Sequence, residues 1–337
     1  MRAVRPLMFL LLWIAAGCAK ESTVPDEVDA PYVVAMPVGA PVLPVPEGNE
    51  LTVARVTLGK ALFFDARLSL GTGLSCASCH HTDRAFSDTL ALSIGAGGAL
   101  GLRNAPTLAN VAYHPAYFRD GGIPTLEQQV LAPIQTESEM ASNIVDAAAL
   151  LRTDEHYASL SRLGYDRELD PFVITRAIAC YERTLVSGWS RYDRFIQGDQ
   201  LALSEQERHG SELFNSQATG CTNSHGGFDL SDHSYRNIGT SIDHTIDQGR
   251  ERITLDPTDR GKFKVPTLRN VALTGPYMHD GSVATLEEVV EHFASGGVAD
   301  PNKDALIHPL ELTAQEKAAL AAFLRALTDD RSLDQVP

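Results

Sequence analysis

Apolar residues recur at helical spacing along several stretches of this chain, and each stretch is introduced by a residue able to cap it. After Thr285, the side chains of Leu286, Val289, Val290 and Phe293 fall on one helical face; Glu288 completes a capping box and Gly296-Gly297 closes the run. Thr125 with Gln128 predicts an equivalent start earlier in the chain. Ser204 with Glu207 and Thr313 with Glu316 open two more helices, the last presenting Leu320, Phe323, Leu324 and Leu327 on one side. Asp170-Pro171 begins a further helix carrying Ile174, Ile178 and Leu185. Strand alternation is sparse and the connections are long and rich in glycine, so the pattern predicts an all-α protein with long loops.

An internal repeat divides this pattern. Pro106-Thr107-Leu108-Ala109-Asn110-Val111-Ala112 returns as Pro266-Thr267-Leu268-Arg269-Asn270-Val271-Ala272. The match runs on without a gap from Tyr117, Asp120, Gly121, Thr125, Leu126, Glu127 and Val130 to Tyr277, Asp280, Gly281, Thr285, Leu286, Glu287 and Val290. One duplication of a domain-sized unit explains this better than a solenoid, which needs more and shorter repeats. The two units are expected at 51–190 and 191–328, with a tail at 329–337.

Residues 1–17 read as an export signal, with Arg2 and Arg5 ahead of an apolar run from Leu7 to Ala16 that is short for a bilayer span. Ala15-Ala16-Gly17-Cys18 resembles a bacterial lipoprotein cleavage box, which implies a periplasmic protein lipid-anchored through Cys18; the alternative is an ordinary signal peptide cut nearby. Residues 18–50, rich in Pro and Val and without helical period, read as an extended tether. The formal charge of -15 argues against nucleic acid and against a phospholipid surface, leaving the lipid as the membrane contact, and favours a basic partner.

Chemistry concentrates in one five-residue run. Cys76-Ala77-Ser78-Cys79-His80 is the attachment signal for haem c, in which both thiols join the porphyrin and the histidine ligates iron. A damaged copy, Cys221-Thr222-Asn223-Ser224-His225, opens the second unit with Ser224 in place of a thiol. One haem c is expected at the first motif, and Cys221 with His225 is a second, incomplete candidate. Cys180 lies in a helical pattern and reads as a buried apolar residue.

These motifs, the repeat, Leu58-Gly59-Lys60-Ala61-Leu62-Phe63-Phe64-Asp65 and Pro276-Tyr277-Met278-His279-Asp280-Gly281 occur in one order. From about Leu51 to Thr328 the chain thereby resembles the bacterial di-haem cytochrome c peroxidases and their MauG-type relatives. The resemblance implies two tandem cytochrome c-like helical domains, with peroxide reacting at the N-terminal haem and electrons entering through the C-terminal one. It places the family's distal acid and its glutamine partner on Glu139 and Gln129. The removable histidine ligand of many members falls on Ala96, which implies an open iron face. A calcium ion between the domains would be held by Asn104, Thr274 and Pro276.

Three departures fall on electron transfer. The family's inter-haem tryptophan position is Arg119, with Tyr117 as a candidate substitute. The far ligand of the second haem aligns with Phe293; His292 points about 100° away on the helix and reads as a surface residue, and Met278 and His279 are other candidates. Ser224 removes a thioether. The leading expectation is an exported haem peroxidase that reduces hydrogen peroxide with electrons from a small c-type cytochrome or copper protein. A second is MauG-like, peroxide-dependent oxidation of a residue in a partner protein. A third is a non-enzymatic haem carrier or sensor, distinguished by inertness to peroxide.

Overall fold

The computed structural model describes residues 29–337, so the export signal and Cys18 lie outside the described residues. Ten α-helices occur within them: α1 (Val53–Phe63), α2 (Leu126–Gln135), α3 (Ile144–Leu151), α4 (Glu155–Tyr165), α5 (Pro171–Glu182), α6 (Arg191–Ile196), α7 (Glu205–Phe214), α8 (Glu251–Thr254), α9 (Leu286–Ser295) and α10 (Ala314–Arg325). Regular sheet among the described residues is one antiparallel ladder, β1 (Tyr235–Arg236) with β2 (Phe263–Lys264), pairing Tyr235 with Lys264. No described helix is long and apolar enough to cross a membrane.

Helix starts sit where capping chemistry puts them. Ser204, Thr285 and Thr313 cap α7, α9 and α10 in reciprocal boxes with Glu207, Glu288 and Glu316, and Asp170 caps α5 with Pro171 in its first turn. Thr125 caps α2 through the backbone N–H of Gln128. Helix α9 ends at Gly296, whose φ of 82° lies in the left-handed region that a Cβ disfavours.

Helices α1, α3, α4, α6 and α8 go beyond the sequence pattern. In α1 the buried set Ala54, Val56, Leu58, Gly59, Leu62 and Phe63 wraps most of the helix, because α4 and α5 both pack on it, and no single apolar stripe results. Each fully buried Leu or Phe there contributes roughly 1.5–3 kcal/mol.

The apolar interior forms two clusters. One gathers α1 to α5; the other gathers Phe214, Val271, Leu286, Val290, Phe323 and neighbours from α7, α9 and α10. The same local devices recur in both. A Cβ on Gly59 would lie 1.9 Å from the Ala177 carbonyl oxygen, and one on Gly210 would lie 2.0 Å from that of Ala319, so each glycine permits a close helix crossing. Asn110 and Asn270 share φ 58°, and their N–H groups donate to Leu185 O at 2.8 Å and Leu327 O at 3.0 Å.

The N-terminal segment departs from expectation. Residues 29–50 do not stand off as a tether: Tyr32 N–H donates to Leu51 O at 2.9 Å, while Tyr32, Val34 and Leu43 pack against the first core. The tail also returns there, with Leu333 and Val336 buried and Asp334 paired to Lys60 at 3.1 Å. Apolar side chains spaced along these extended segments supply the reason, since leaving them in water would forfeit their burial energy. The halves are tied by Arg103, which pairs with Asp120 at 2.7 Å and with Asp247 at 2.6 Å, and by Arg252, which reaches Asp120 at 2.6 Å.

Candidate haem sites and their surroundings

The first motif folds as a tight turn over Cys76–Ser78, in which the His80 N–H donates to Cys76 O at 3.0 Å. The His80 ring donates its Nδ1–H to Phe86 O at 2.7 Å. In the second motif the His225 ring donates the same atom to Leu230 O at 3.0 Å. A carbonyl can only accept, so each contact fixes the tautomer and leaves Nε2 with a free lone pair, the arrangement that orients a metal-ligating histidine. Burial lowers the pKa of both imidazoles, against the opposing pull of those carbonyls, and so favours the neutral ligating form.

Cys76, Cys79 and Cys221 carry free thiols, which thioether formation requires. Cys180 is a free thiol buried in the first core 3.3 Å from Asn49 Oδ1; burial pushes it up to about 11, consistent with an inert packing role.

Beside Cys79 the structure brings together the glycine-rich loop and the turn after α2. Ala96 N–H donates to Glu139 O at 2.7 Å, and a Cβ on Gly95 would lie 1.9 Å from Ser138 O, so the two segments touch backbone to backbone. Burial raises the Cys79 thiol, a hydrogen bond with Ser93 opposes it, and the charges of Asp88 and then Glu139 add to the rise, so Glu139 lies close by. Glu139 is exposed to solvent, yet the protein packed around it raises its carboxyl above the usual range. Gln129 stands half-buried on α2, outside this set of contacts.

Cys221 and His225 line an open-mouthed cleft, with Val265, Leu268, Val290, Phe293 and Leu320 among its apolar walls. The apolar walls and the free Nε2 of His225 therefore fit a haem, despite the missing thiol.

Comparison with known proteins follows the same line. A family model described as di-haem cytochrome c peroxidase matches residues 53–201. The methylamine utilization protein MauG of Methylorubrum extorquens is 32% identical over 100% of this chain and 99% of its own length. Cytochrome c551 peroxidase of Nitrosomonas europaea is 35% identical over 90% of this chain and 88% of its own. A solved structure described as a MauG-like protein associated with microbial copper homeostasis superposes with a TM-score of 0.84 at 36% identity, covering 89% of this chain and 96% of that one. The chain belongs to the di-haem cytochrome c peroxidase family.

Membership makes it a haem peroxidase with haem c as its cofactor class, and sets aside the non-enzymatic reading. Against that family background Arg119 gains a definite role. Its guanidinium donates to Asn104 Oδ1 at 2.7 Å and to Asn104 O at 3.1 Å, and Thr274 and Pro276 line the same cleft. The Arg119 guanidinium thus engages both oxygens of Asn104, one of the three residues expected to hold calcium. Burial, with Arg103 adding to it, pushes this guanidinium down to about 10, and Asp280 pulls the other way.

Phe293 lines the second cleft, as do Met278, His279 and His308. His279 stacks on Phe263 with ring centroids 3.8 Å apart, and burial pushes its imidazole down to about 4. His292 is not a free surface residue: its Nε2 donates to Ile238 O at 2.9 Å. Sequence reading missed two groups. His308, in the loop between α9 and α10, has no periodic or motif signal. Glu182 sits inside α5 beside Cys76, where burial, and secondarily Arg183 and Glu127 in opposite senses, leave its carboxyl pushed up to about 8.

Proposed function

We propose that the chain is an exported peroxidase that reduces hydrogen peroxide in its N-terminal half with electrons received from a small c-type cytochrome or copper protein. Two tandem cytochrome c-like domains would carry the two haems, the first held by Cys76, Cys79 and His80, the second by Cys221 and His225. Bound haem supplies an iron centre that accepts electrons and takes peroxide as a ligand. The observation that carries the reading is Glu139, joined to the Ala96 loop, beside Cys79, whose neighbour in sequence, His80, is oriented through Phe86 O.

The protein's own contribution is proton management. Glu139 would take a proton from one peroxide oxygen and return it to the other, a transfer its raised carboxyl suits better than an ordinary one. Gln129, on the adjoining helix, would orient the peroxide by hydrogen bonding. Tyr117, buried in the first core, and Arg119, on the wall of the second cleft, lie two residues apart and would span the route between the halves. An arginine cannot readily be oxidised, so Tyr117 is the redox-capable residue of that pair.

The test is peroxide-dependent oxidation of a reduced small cytochrome and of a reduced copper protein by the haem-loaded chain. Turnover with either donor supports the reading, and none with any reductant sinks it. The structural likeness to a MauG-like protein favours a second reading, oxidation of a residue in a partner protein. A peroxide-dependent mass change on a co-purified partner, without cytochrome oxidation, would select it.

Because Arg119 serves the Asn104 oxygens, chelation with EGTA is expected to leave turnover and thermal midpoint unchanged. Arg119→Met, which strips those oxygens of their donors, should cost about 1–3 kcal/mol of stability. Melting curves with and without chelator check both; a midpoint lowered by EGTA in the unmodified chain would refute the substitution of guanidinium for metal.

A further inference from the structure

Three side chains unused by the proposed chemistry converge where the halves meet. His114 comes from the first repeat, and Asp229 and His233 follow the second haem motif. His233 Nε2 lies 3.4 Å and His114 Nε2 3.8 Å from Asp229 Oδ2, and one ligand atom from each residue falls within 4.8 Å of the others. The His114, Asp229 and His233 side chains are 10%, 6% and 13% exposed.

Two of the converging atoms have no partner. Asp229 Oδ2 and His114 Nε2 are buried without a hydrogen bond, a state that costs about 1–3 kcal/mol for each group. The remaining polar atoms of the cluster are, by contrast, held from behind. Asp229 Oδ1 accepts from Asn110 Nδ2 at 2.8 Å, and Asp229 O accepts from Thr267 Oγ1 at 2.7 Å. The Ser231 hydroxyl donates to Val265 O at 2.8 Å, so its oxygen is free to accept His233 Nδ1–H at 3.4 Å. That tautomer turns the Nε2 lone pair of His233 toward Asp229. His233 also holds φ 52°, a conformation uncommon for a residue with a side chain.

Satisfied outer atoms around unsatisfied inner ones are the second-shell pattern of a metal site. Two imidazoles and one carboxylate suit a borderline divalent ion of the first transition row. We propose that His114, Asp229 and His233 bind one such ion, Zn²⁺ or Cu²⁺, and that it clamps the two halves of the protein together.

One neighbour opposes the ion. Lys264 Nζ donates to Ala116 O at 2.8 Å and lies 3.3 Å from His114 Nδ1. While Lys264 is charged, His114 Nδ1 accepts from it and Nε2 keeps the ring hydrogen. Occupancy at Nε2 therefore releases a proton and places two positive centres close together. Removing the lysine charge should tighten binding, which a purely packing role for these residues would not predict.

The experiment uses the haem-loaded chain, stripped with a chelator, given Zn²⁺ alone and passed through gel filtration, with zinc counted by mass spectrometry separately from haem iron. About one zinc per chain and a raised thermal midpoint are expected. Asp229→Asn and, as a gentler variant, His233→Gln should lose the zinc and the added thermal stability while keeping full haem content. Lys264→Met should bind zinc about tenfold more tightly. No retained zinc in the unmodified chain would overturn the proposal and assign the space to water. Zinc retained equally by His233→Gln would overturn it as well, because the ion would then lie elsewhere.

Discussion

Glu139→Gln is expected to lower peroxide turnover by about 10²–10⁴-fold, the usual range for loss of a positioned general acid–base group, with haem content unchanged. A glutamine keeps the size and hydrogen-bonding capacity of the side chain but cannot carry a proton. The turn that positions the residue is backbone-built, Ala96 N–H donating to Glu139 O at 2.7 Å, so the substitution should leave the loop where it is. The raised carboxyl gives the pH dependence a sign. Taking a proton from peroxide requires the ionised form, which is present above the raised pKa and lost as pH falls through it. The unmodified enzyme should therefore lose activity on its acid side at a pH above that of an ordinary glutamate, and Glu139→Gln should flatten that limb. Stopped-flow reaction with peroxide across pH reads both effects. An unchanged rate in the variant would remove Glu139 from the mechanism.

What could be read from the chain was what is local. A haem motif packs two thiols and a histidine into five residues, and a capping box such as Thr285 with Glu288 closes within a single turn; both carry their own geometry. The repeat was legible because Asn110 and Asn270 do the same conformational work at φ 58°. Helix α1 was not, since burial against α4 and α5 removes the polar face that periodicity detects. Nor was the partner of Arg119 legible: its contact with Asn104 spans fifteen positions of irregular loop, and only folding shows that the residue at the tryptophan position engages Asn104. The cluster of His114 with Asp229 and His233 is joined across more than a hundred residues. The packing of the tail was illegible for a related reason, because Leu333 and Val336 find their core at the far end of the chain.

Cys221→Ser is expected to remove every covalent bond to the second haem, leaving the denatured chain one haem lighter by intact mass. Ser224 has already taken the other attachment point, so the whole covalent link of that half rests on one sulfur. The cleft around it has not degenerated in step. Its walls are apolar, and His225 Nδ1–H remains fixed on Leu230 O at 3.0 Å, as His80 is on Phe86 O at 2.7 Å. Noncovalent binding should therefore persist in the variant, weakly enough for a haem acceptor such as apomyoglobin to strip it. Turnover with a protein electron donor should then collapse, while the direct reaction of peroxide in the first half continues, because the two halves have separate cores. Ser224→Cys provides the converse, a second thioether with no change in the cavity or its histidine. A native chain carrying a single covalent haem would contradict this account, and the cleft beside Cys221 would need another occupant. Two haems with turnover unaffected by Cys221→Ser would instead keep the cofactor and deny it the electron path, which separates the attachment of the second haem from its use.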